Sequence, residues 1–167
     1  MSSTASKSEK GAALSGKYLT FFLGAEEYGI AILKVREIIG IVPVTPVPGT
    51  PSFMQGVINL RGKIIPVIDL RAKFGMPTQA ASRETCIIVV RRLDLELGIV
   101  VDAVSEVRDV AAAETDAMLD LGGEISAEYF LGISKADGKV RLLLDIDRIL
   151  STEDVIELAH PAGASSP

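Results

Sequence analysis

The sequence is poor in the residues that most enzyme centres use. Its 167 residues include no tryptophan, one cysteine and one histidine. A Ser-His-Asp or Cys-His arrangement therefore has a single possible base, His160, next to Pro161 in the C-terminal tail. Zinc sites built from several His or Cys ligands are excluded by number. Cys86 stands in an apolar run and is interpreted as a small buried hydrophobe, not as a reactive thiol.

The sequence also lacks a basic excess and a long apolar run. The net charge is −5 and no basic stripe is visible, which argues against a nucleic-acid partner. No apolar run reaches the roughly 18 residues of a membrane helix, so direct membrane insertion is not expected. Residues 1–16 contain Ser, Ala and Lys without the apolar core of a secretory signal. We therefore expect a cytoplasmic protein with a disordered tail over residues 1–16.

What the sequence has is an internal repeat. Residues 56–70 and 132–146 both read Gly-x5-Gly-Lys, then an aliphatic run, then Asp and an aliphatic residue, at an offset of 76. Upstream, residues 29–38 match residues 98–107 at an offset of 69. The same order in both halves predicts two related subdomains. Positions that differ between the halves are therefore candidates for function.

Short runs rich in β-branched residues, separated by Gly and Pro, predict five strands in each half. These strands cover residues 17–23, 27–32, 36–42, 56–60 and 63–69, then 85–91, 95–101, 104–110, 130–136 and 139–145. Small five-stranded units need closure to avoid exposed edges, so two barrels packed together are expected. The predicted fold is all-β: two SH3-like five-stranded β-barrel subdomains with a few short helices.

Four short helical segments and one ordered domain complete this prediction. The helical segments lie at about residues 50–54, 70–74, 146–150 and 152–159. The ordered domain covers residues 17–160, with repeat halves at about 17–75 and 85–150. Residues 161–167 are expected to form a second disordered tail. Whether strands cross between the two barrels stays open at this point.

Two patterns resemble catalytic or nucleotide-binding motifs and fail on detail. Gly56 to Ile64 is one residue too long for a phosphate loop, and Ile64 stands where Ser or Thr would bind magnesium. Asp69, Asp145 and Asp147 are candidates for a carboxylate-based metal-dependent enzyme. However, Asp69 and Asp145 are repeat equivalents at a strand-to-helix junction, where helix capping explains them.

One charged pair is expected in the first half alone. Glu37 has a repeat partner in Glu106, whereas Arg61 is replaced by Asp137. An Arg61–Glu37 pair can be a directional, bidentate unit that shapes a surface, or an ordinary surface ion pair. Ile32 and Val35 flank this region, as part of the core or as an exposed apolar strip.

Three segments together resemble the CheW-type chemotaxis coupling proteins. They are Glu27-Tyr28-Gly29-Ile30 with residues 32–38, then residues 51–62 with Asn59-Leu60-Arg61-Gly62, then residues 66–71. Gly98-Ile99-Val-Val-Asp102 resembles the second half of that family. The match runs from about residue 17 to residue 150, and the combination of segments in order is more specific than any one of them.

The resemblance implies two intertwined SH3-like barrels and a non-enzymatic adaptor without cofactor. It implies three partners: the cytoplasmic tip of a methyl-accepting chemoreceptor, the regulatory domain of the histidine kinase CheA, and other CheW-like proteins in membrane-associated arrays. The receptor tip would lie as a helix in an apolar groove between the barrels. Carried over by motif position, the partner-binding residues are Ile32, Val35, Glu37, Gly56 and Arg61.

Three other functions compete with that hypothesis. One is a CheW-like coupler of a non-flagellar chemosensory pathway. Another is the carboxylate-based enzyme that uses Asp69, Asp145 and Asp147. The third is an SH3-like module for proline-rich peptides, which the absence of Trp and the presence of three Tyr disfavour because such a groove is lined by aromatic residues.

Overall fold

The computed structural model describes residues 14–92, 94–116 and 129–149. The strands in these ranges are β1 (Gly16–Leu23), β2 (Glu26–Ala31), β3 (Val35–Gly40), β4 (Met54–Leu60), β5 (Lys63–Asp69), β6 (Cys86–Arg92), β7 (Leu95–Val101), β8 (Ala103–Val110), β9 (Thr115–Asp116), β10 (Phe130–Ala136) and β11 (Lys139–Leu144). The short helices are α1 (Leu70–Lys73) and α2 (Ile146–Ile149), with 3-10 turns η1 (Ile32–Lys34) and η2 (Ala112–Glu114).

All ten predicted strands are confirmed, with ends that differ by two residues or fewer. The two-residue strand β9 was not predicted. The single turn expected through Met54 is present, since Met54 N donates to Pro51 O at 3.0 Å, but it is not helical and leads directly into β4. β1 begins at Gly16, and Leu14 before it is buried. The predicted helix at 152–159, the tail at 161–167 and residues 1–13 lie outside the described residues.

The two sheets do not coincide with the two halves of the sequence. A six-stranded sheet has the order β8-β1-β2-β11-β10-β9, and a five-stranded sheet has the order β3-β6-β7-β5-β4. Each sheet thus combines the first two strands of one half with the last three equivalent strands of the other half. Strands therefore cross between the two subdomains, and the halves are intertwined. The predicted all-β class with two SH3-like subdomains is confirmed.

The two halves meet along two parallel strand pairs. In one pair, β5 lies beside β7 with Val67 opposite Gly98; in the equivalent pair, β11 lies beside β2 with Leu143 opposite Gly29. A Cβ on Gly98 would lie 2.7 Å from Ile87 Cγ2, inside van der Waals contact. Ile87 lies on β6, in the same half as Gly98, whereas a Cβ on Gly29 would lie 3.2 Å from Leu143 Cδ2 across the crossing. The repeated glycine therefore leaves room for apolar side chains of neighbouring strands at both crossing pairs.

The main core lies between the sheets and draws on both. Tyr28 stacks on Phe21 at 5.7 Å between ring centroids, and on Phe130 at 6.4 Å. Phe74, after α1, contacts Tyr28 at 5.8 Å and Phe130 at 5.9 Å. Nearly all the aliphatic residues around these rings are Val, Ile and Leu, as the composition predicts. Among the described residues, no helix is long and apolar enough to cross a membrane.

Candidate partner-binding surface

The structure brings Arg61 and Glu37 together in a bidentate pair. Arg61 Nη1 donates to Glu37 Oε1 at 2.7 Å, and Nη2 donates to Oε2 at 2.6 Å. Glu37 lies on β3 and Arg61 lies in the β4–β5 turn, so the pair joins the two edge strands of the five-stranded sheet. The Arg61 side chain stays 68% exposed. Two parallel hydrogen bonds fix the plane of the guanidinium and present it at the surface.

A tight hairpin turn places Arg61 at this position. Arg61 has φ of 52° and Gly62 has φ of 86°, the left-handed pair that two-residue hairpins prefer. The Asn59 side chain accepts a hydrogen bond from Gly62 N at 2.8 Å, which holds the turn. Arginine is uncommon in this backbone region, since a Cβ there meets the following carbonyl. The equivalent Asp137 adopts the same strained conformation, with φ of 54°.

An apolar edge lies just before Glu37 in the chain. Ile32 lies in η1, and Val35 begins β3 two residues before Glu37. Both are half-buried against the main core, so the core and strip interpretations are each partly right. Leu33 between them is 94% exposed, the most exposed large apolar side chain in the described ranges. Nothing in the sequence singled out Leu33, because amphipathic spacing cannot show how a 3-10 turn orients its middle residue.

Gly56 has a structural role that needs no partner. It lies on β4 with φ of 150°, and a Cβ there would lie 2.1 Å from the carbonyl oxygen of Thr45. Thr45 pairs with Val57 through two backbone hydrogen bonds of 2.9 Å. Gly56 therefore lets the proline-rich segment 42–51 close on β4, in the hairpin whose turn carries Arg61.

The equivalent place in the six-stranded sheet carries a pair of opposite polarity. There the turn residue is acidic: Asp137 Oδ2 accepts from Arg108 Nη2 on β8 at 2.8 Å. Arg108 also contacts Glu106, the repeat partner of Glu37. Asp137 and Arg61 are the exposed members of their pairs, with side chains 77% and 68% exposed. The two barrels thus present opposite charges at the same structural position.

A second polarity reversal occurs where the halves cross. Arg71 Nε, on α1, donates to Asp102 Oδ1 at 2.8 Å, and Arg71 Nη2 donates to Asp102 Oδ2. The hydrogen bonds from Arg71 hold the pKa of Asp102 below its usual range. Asp147 on α2 is the repeat equivalent of Arg71, so the acidic group is now on the helix, and it accepts from Lys34 Nζ at 2.9 Å. Lys34 follows Leu33, which is the repeat equivalent of Asp102.

Each of the three aspartates considered for metal chemistry interacts with a group of the protein. Asp69 accepts from Arg71 N at 3.0 Å and caps α1, and Asp145 accepts from Asp147 N at 3.0 Å and caps α2, as helix capping predicts. Asp147 pairs with Lys34. In residues 14–92, 94–116 and 129–149, no group of three His, Cys, Asp or Glu side chains lies close enough to hold a metal ion.

Cys86 lies on β6 and is half-buried against the main core. Burial raises the pKa of its thiol above the ordinary value, so the thiol is protonated at neutral pH. The thiolate is the reactive form, and the structure therefore agrees with a packing role for Cys86.

One buried pair was not predicted from the sequence. Arg141 Nε on β11 lies 3.0 Å from Glu27 Oε1 on β2, and both side chains are under 10% exposed. The signal was available, because the repeat offset places Arg141 at the position of the aliphatic Ile65. The first half gave no reason to expect a charge in that core.

A family model matches most of this chain. The model of the CheW-like domain matches residues 17–154. A similar relative is the chemotaxis protein CheW of Klebsiella aerogenes, 39% identical over 145 residues, which covers 87% of each chain. Protein FrzA of Myxococcus xanthus is 30% identical over 138 residues, which are 81% of this chain and 86% of FrzA.

A solved structure shows the same architecture. The scaffolding protein TtCheW from Thermoanaerobacter tengcongensis superposes with a TM-score of 0.77 at 35% identity. The superposition covers 84% of this chain and 96% of that protein. The fold described above is therefore similar to that of a solved scaffolding protein over almost the whole length of that protein.

Proposed function

The chain belongs to the CheW family, and from that premise we propose that it is a non-enzymatic scaffold adaptor of chemotaxis signalling. In this proposal it couples the cytoplasmic tips of chemoreceptors to the regulatory domain of the histidine kinase CheA. It works in the cytoplasm and is recruited to membrane-associated receptor arrays, where other CheW-like proteins are further partners. The names of the relatives, chemotaxis proteins and a scaffolding protein, support this assignment.

The observation that supports the proposal most is the bidentate Arg61–Glu37 pair. A surface ion pair of this kind adds roughly 0–1 kcal/mol to stability, so folding alone gives little reason for it. Its fixed guanidinium and the neighbouring apolar edge form what we term the coupling face, made of Ile32, Leu33, Val35, Glu37 and Arg61. Exposed apolar anchors next to an oriented arginine are typical of protein-docking surfaces.

We assign the receptor-side contact to the coupling face. The receptor tip is a helix, and an amphipathic helix docks by laying apolar side chains against an apolar strip. Leu33 would supply the deepest contact because it is almost fully exposed in the free protein. Gly56 acts indirectly in this assignment, since it holds the hairpin whose turn carries Arg61.

The kinase regulatory domain is expected to have the same fold, by family resemblance. A partner of the same fold can then dock barrel to barrel, and adaptor and kinase can alternate around a ring. Arg61 and Asp137 are exposed and carry opposite charges at the two hairpin turns. Opposite charges of this kind favour contacts in which one barrel faces the other barrel of a neighbouring molecule.

Reconstitution with a cognate kinase and receptor tips tests the proposal. We expect kinase activity to rise several-fold when this protein is added to both, and to stay unchanged when the receptor tips are left out. The protein by itself should hydrolyse no ATP. Kinase activity that is indifferent to the protein in the presence of receptor tips would overturn the proposal.

A further inference from the structure

The two barrels have the same strand order but differ in their interiors. In the five-stranded sheet, five buried aliphatic residues form a separate core cluster: Ile58, Ile65, Val67, Ile87 and Val89. The repeat offsets of 76 and 69 place their counterparts in the six-stranded sheet at Ser134, Arg141, Leu143, Tyr18 and Thr20. These counterparts are all buried as well, with exposures of 5% or less. At three of these five positions, an apolar residue of the five-stranded sheet thus has a polar counterpart in the six-stranded sheet.

Several of these polar groups lack hydrogen-bond partners. Ser134 Oγ and Arg141 Nη1 are buried without a partner in the described part of the chain, and so is Arg108 Nε. Arg141 Nε lies 3.0 Å from Glu27 Oε1, yet its geometry does not make a hydrogen bond. Each buried polar atom without a partner destabilises the fold relative to an apolar group of similar shape, because its lost hydration is not replaced. Such atoms occur in the six-stranded sheet and not among the described residues of the five-stranded sheet.

The unpartnered groups are concentrated in one region. Ser134 and Arg141 face each other across the β10–β11 hairpin. Arg108 lies on β8 and holds the turn of the same hairpin through Asp137. On its other side β10 pairs with β9, whose described residues Thr115 and Asp116 lie opposite Ser134 and Ile133. The buried polar atoms without partners therefore lie in this hairpin and in the strand that holds its turn.

We infer that the molecule has one rigid and one labile barrel: the β10–β11 hairpin of the six-stranded sheet opens locally while the five-stranded sheet stays closed. Opening would hydrate Ser134, Arg141 and Glu27, which relieves the cost of burying them. The β4–β5 hairpin has no comparable gain, because Ile58 and Ile65 occupy the same positions. Opening would also separate Asp137 from Arg108, since Asp137 lies in the turn of the opening hairpin.

Hydrogen exchange on the full chain measures this difference, because the repeat supplies matched amides. Leu143 and Val67 are repeat equivalents, both buried, and both lie in parallel strand pairs opposite a glycine. We expect the protection factor of the Leu143 amide to be at least tenfold lower than that of Val67 under native conditions. Equal protection of the two amides would overturn the inference, because both would then exchange through one common unfolding.

Three variants test the cause. Ser134→Ala removes an unpartnered hydroxyl without adding volume, so it should raise the protection of Leu143 at least fivefold and leave Val67 unchanged. Replacing Glu27 and Arg141 together by Leu should keep or raise that protection, whereas Arg141→Leu alone should lower it, because Glu27 is left buried without a counter-charge. A Ser134→Ala protein with unaltered exchange at Leu143, or with an equal gain at both amides, would contradict the inference.

Discussion

Arg71 and Asp102 come from different halves of the chain and form two side-chain hydrogen bonds where the halves cross. Arg71 Nη1 also donates to Pro77 O at 3.1 Å, and Asp102 Oδ2 also accepts from Gly24 N at 2.7 Å. The Arg71 side chain is 11% exposed. This pair therefore ties α1, the β1–β2 turn and the end of β7 into one junction.

The first prediction concerns acid stability. The hydrogen bonds from Arg71 lower the pKa of Asp102 in the folded protein. A lowered folded-state pKa adds stability above the unfolded value of about 3.9, and that stability is lost as pH falls through the folded pKa. We expect Asp102→Asn to be less stable than the wild type at pH 7, with a difference that shrinks below about pH 4.

Urea unfolding at a series of pH values measures this difference. Asp109→Asn is the matched control, because Asp109 pairs with Lys17 at the surface and its side chain is 78% exposed. A gap between Asp102→Asn and the wild type that stays constant down to the lowest pH would show that the Asp102 carboxylate has no part in acid stability.

The second prediction compares the two ion pairs that contain the repeat equivalents Arg71 and Asp147. Arg71→Ala should destabilise the protein by about 1–3 kcal/mol, because it removes both side-chain donors from the partly buried Asp102 carboxylate and leaves it only Gly24 N. Lys34→Ala should cost about 0–1 kcal/mol, since the Lys34–Asp147 pair is an exposed one, with side chains 42% and 51% exposed. Chemical denaturation of both variants would decide the matter, and a larger loss for Lys34→Ala would count against the assigned roles.

The third prediction concerns Gly56. Gly56→Ala should destabilise the protein by at least about 2 kcal/mol, because the new methyl group would overlap backbone atoms of Thr45, which cannot rotate away. Gly40→Ala is the control: it is also in a strand of the same sheet, and a Cβ there meets nothing within 4 Å. The thermal midpoints of the two variants measure this, and similar midpoints would refute the close approach at Thr45.

The strands were predictable, but their pairing was not. Short runs rich in β-branched residues between Gly and Pro located ten strands, because such residues pack well on a sheet. Equivalent strands of the two halves carry similar apolar patterns, so β1 and β2 match the last three strands of either half. Gly29 and Gly98, which lie in the two crossing strand pairs, are repeat equivalents and cannot indicate which partner each strand takes.

The candidate site was predictable where the halves differ in charge. Arg61 has no basic counterpart in the second half, and this difference correctly placed it beside Glu37. Leu33 was missed because a three-residue 3-10 turn decides its exposure, and short turns leave no periodic pattern. The polar interior around Arg141 was missed as well, although the comparison with Ile65 would have shown it.

The fourth prediction tests the coupling face. Arg61→Glu places two carboxylates side by side, so it should weaken binding to receptor tips or to the kinase regulatory domain by more than tenfold. The melting temperature should move little, because the Arg61 side chain is 68% exposed. Arg83→Glu, an exposed change of the same charge outside the strands, should leave binding and melting temperature near those of the wild type.

The most direct test is a double-mutant cycle on this pair, with binding to receptor tips and to the kinase regulatory domain as the readout. Glu37→Arg and Arg61→Glu together restore opposite charges at the same two positions. We predict that the double variant recovers part of the affinity that each single variant loses. Binding losses that simply add, or single variants that bind as tightly as the wild type, would contradict a docking surface shaped by Arg61 and Glu37.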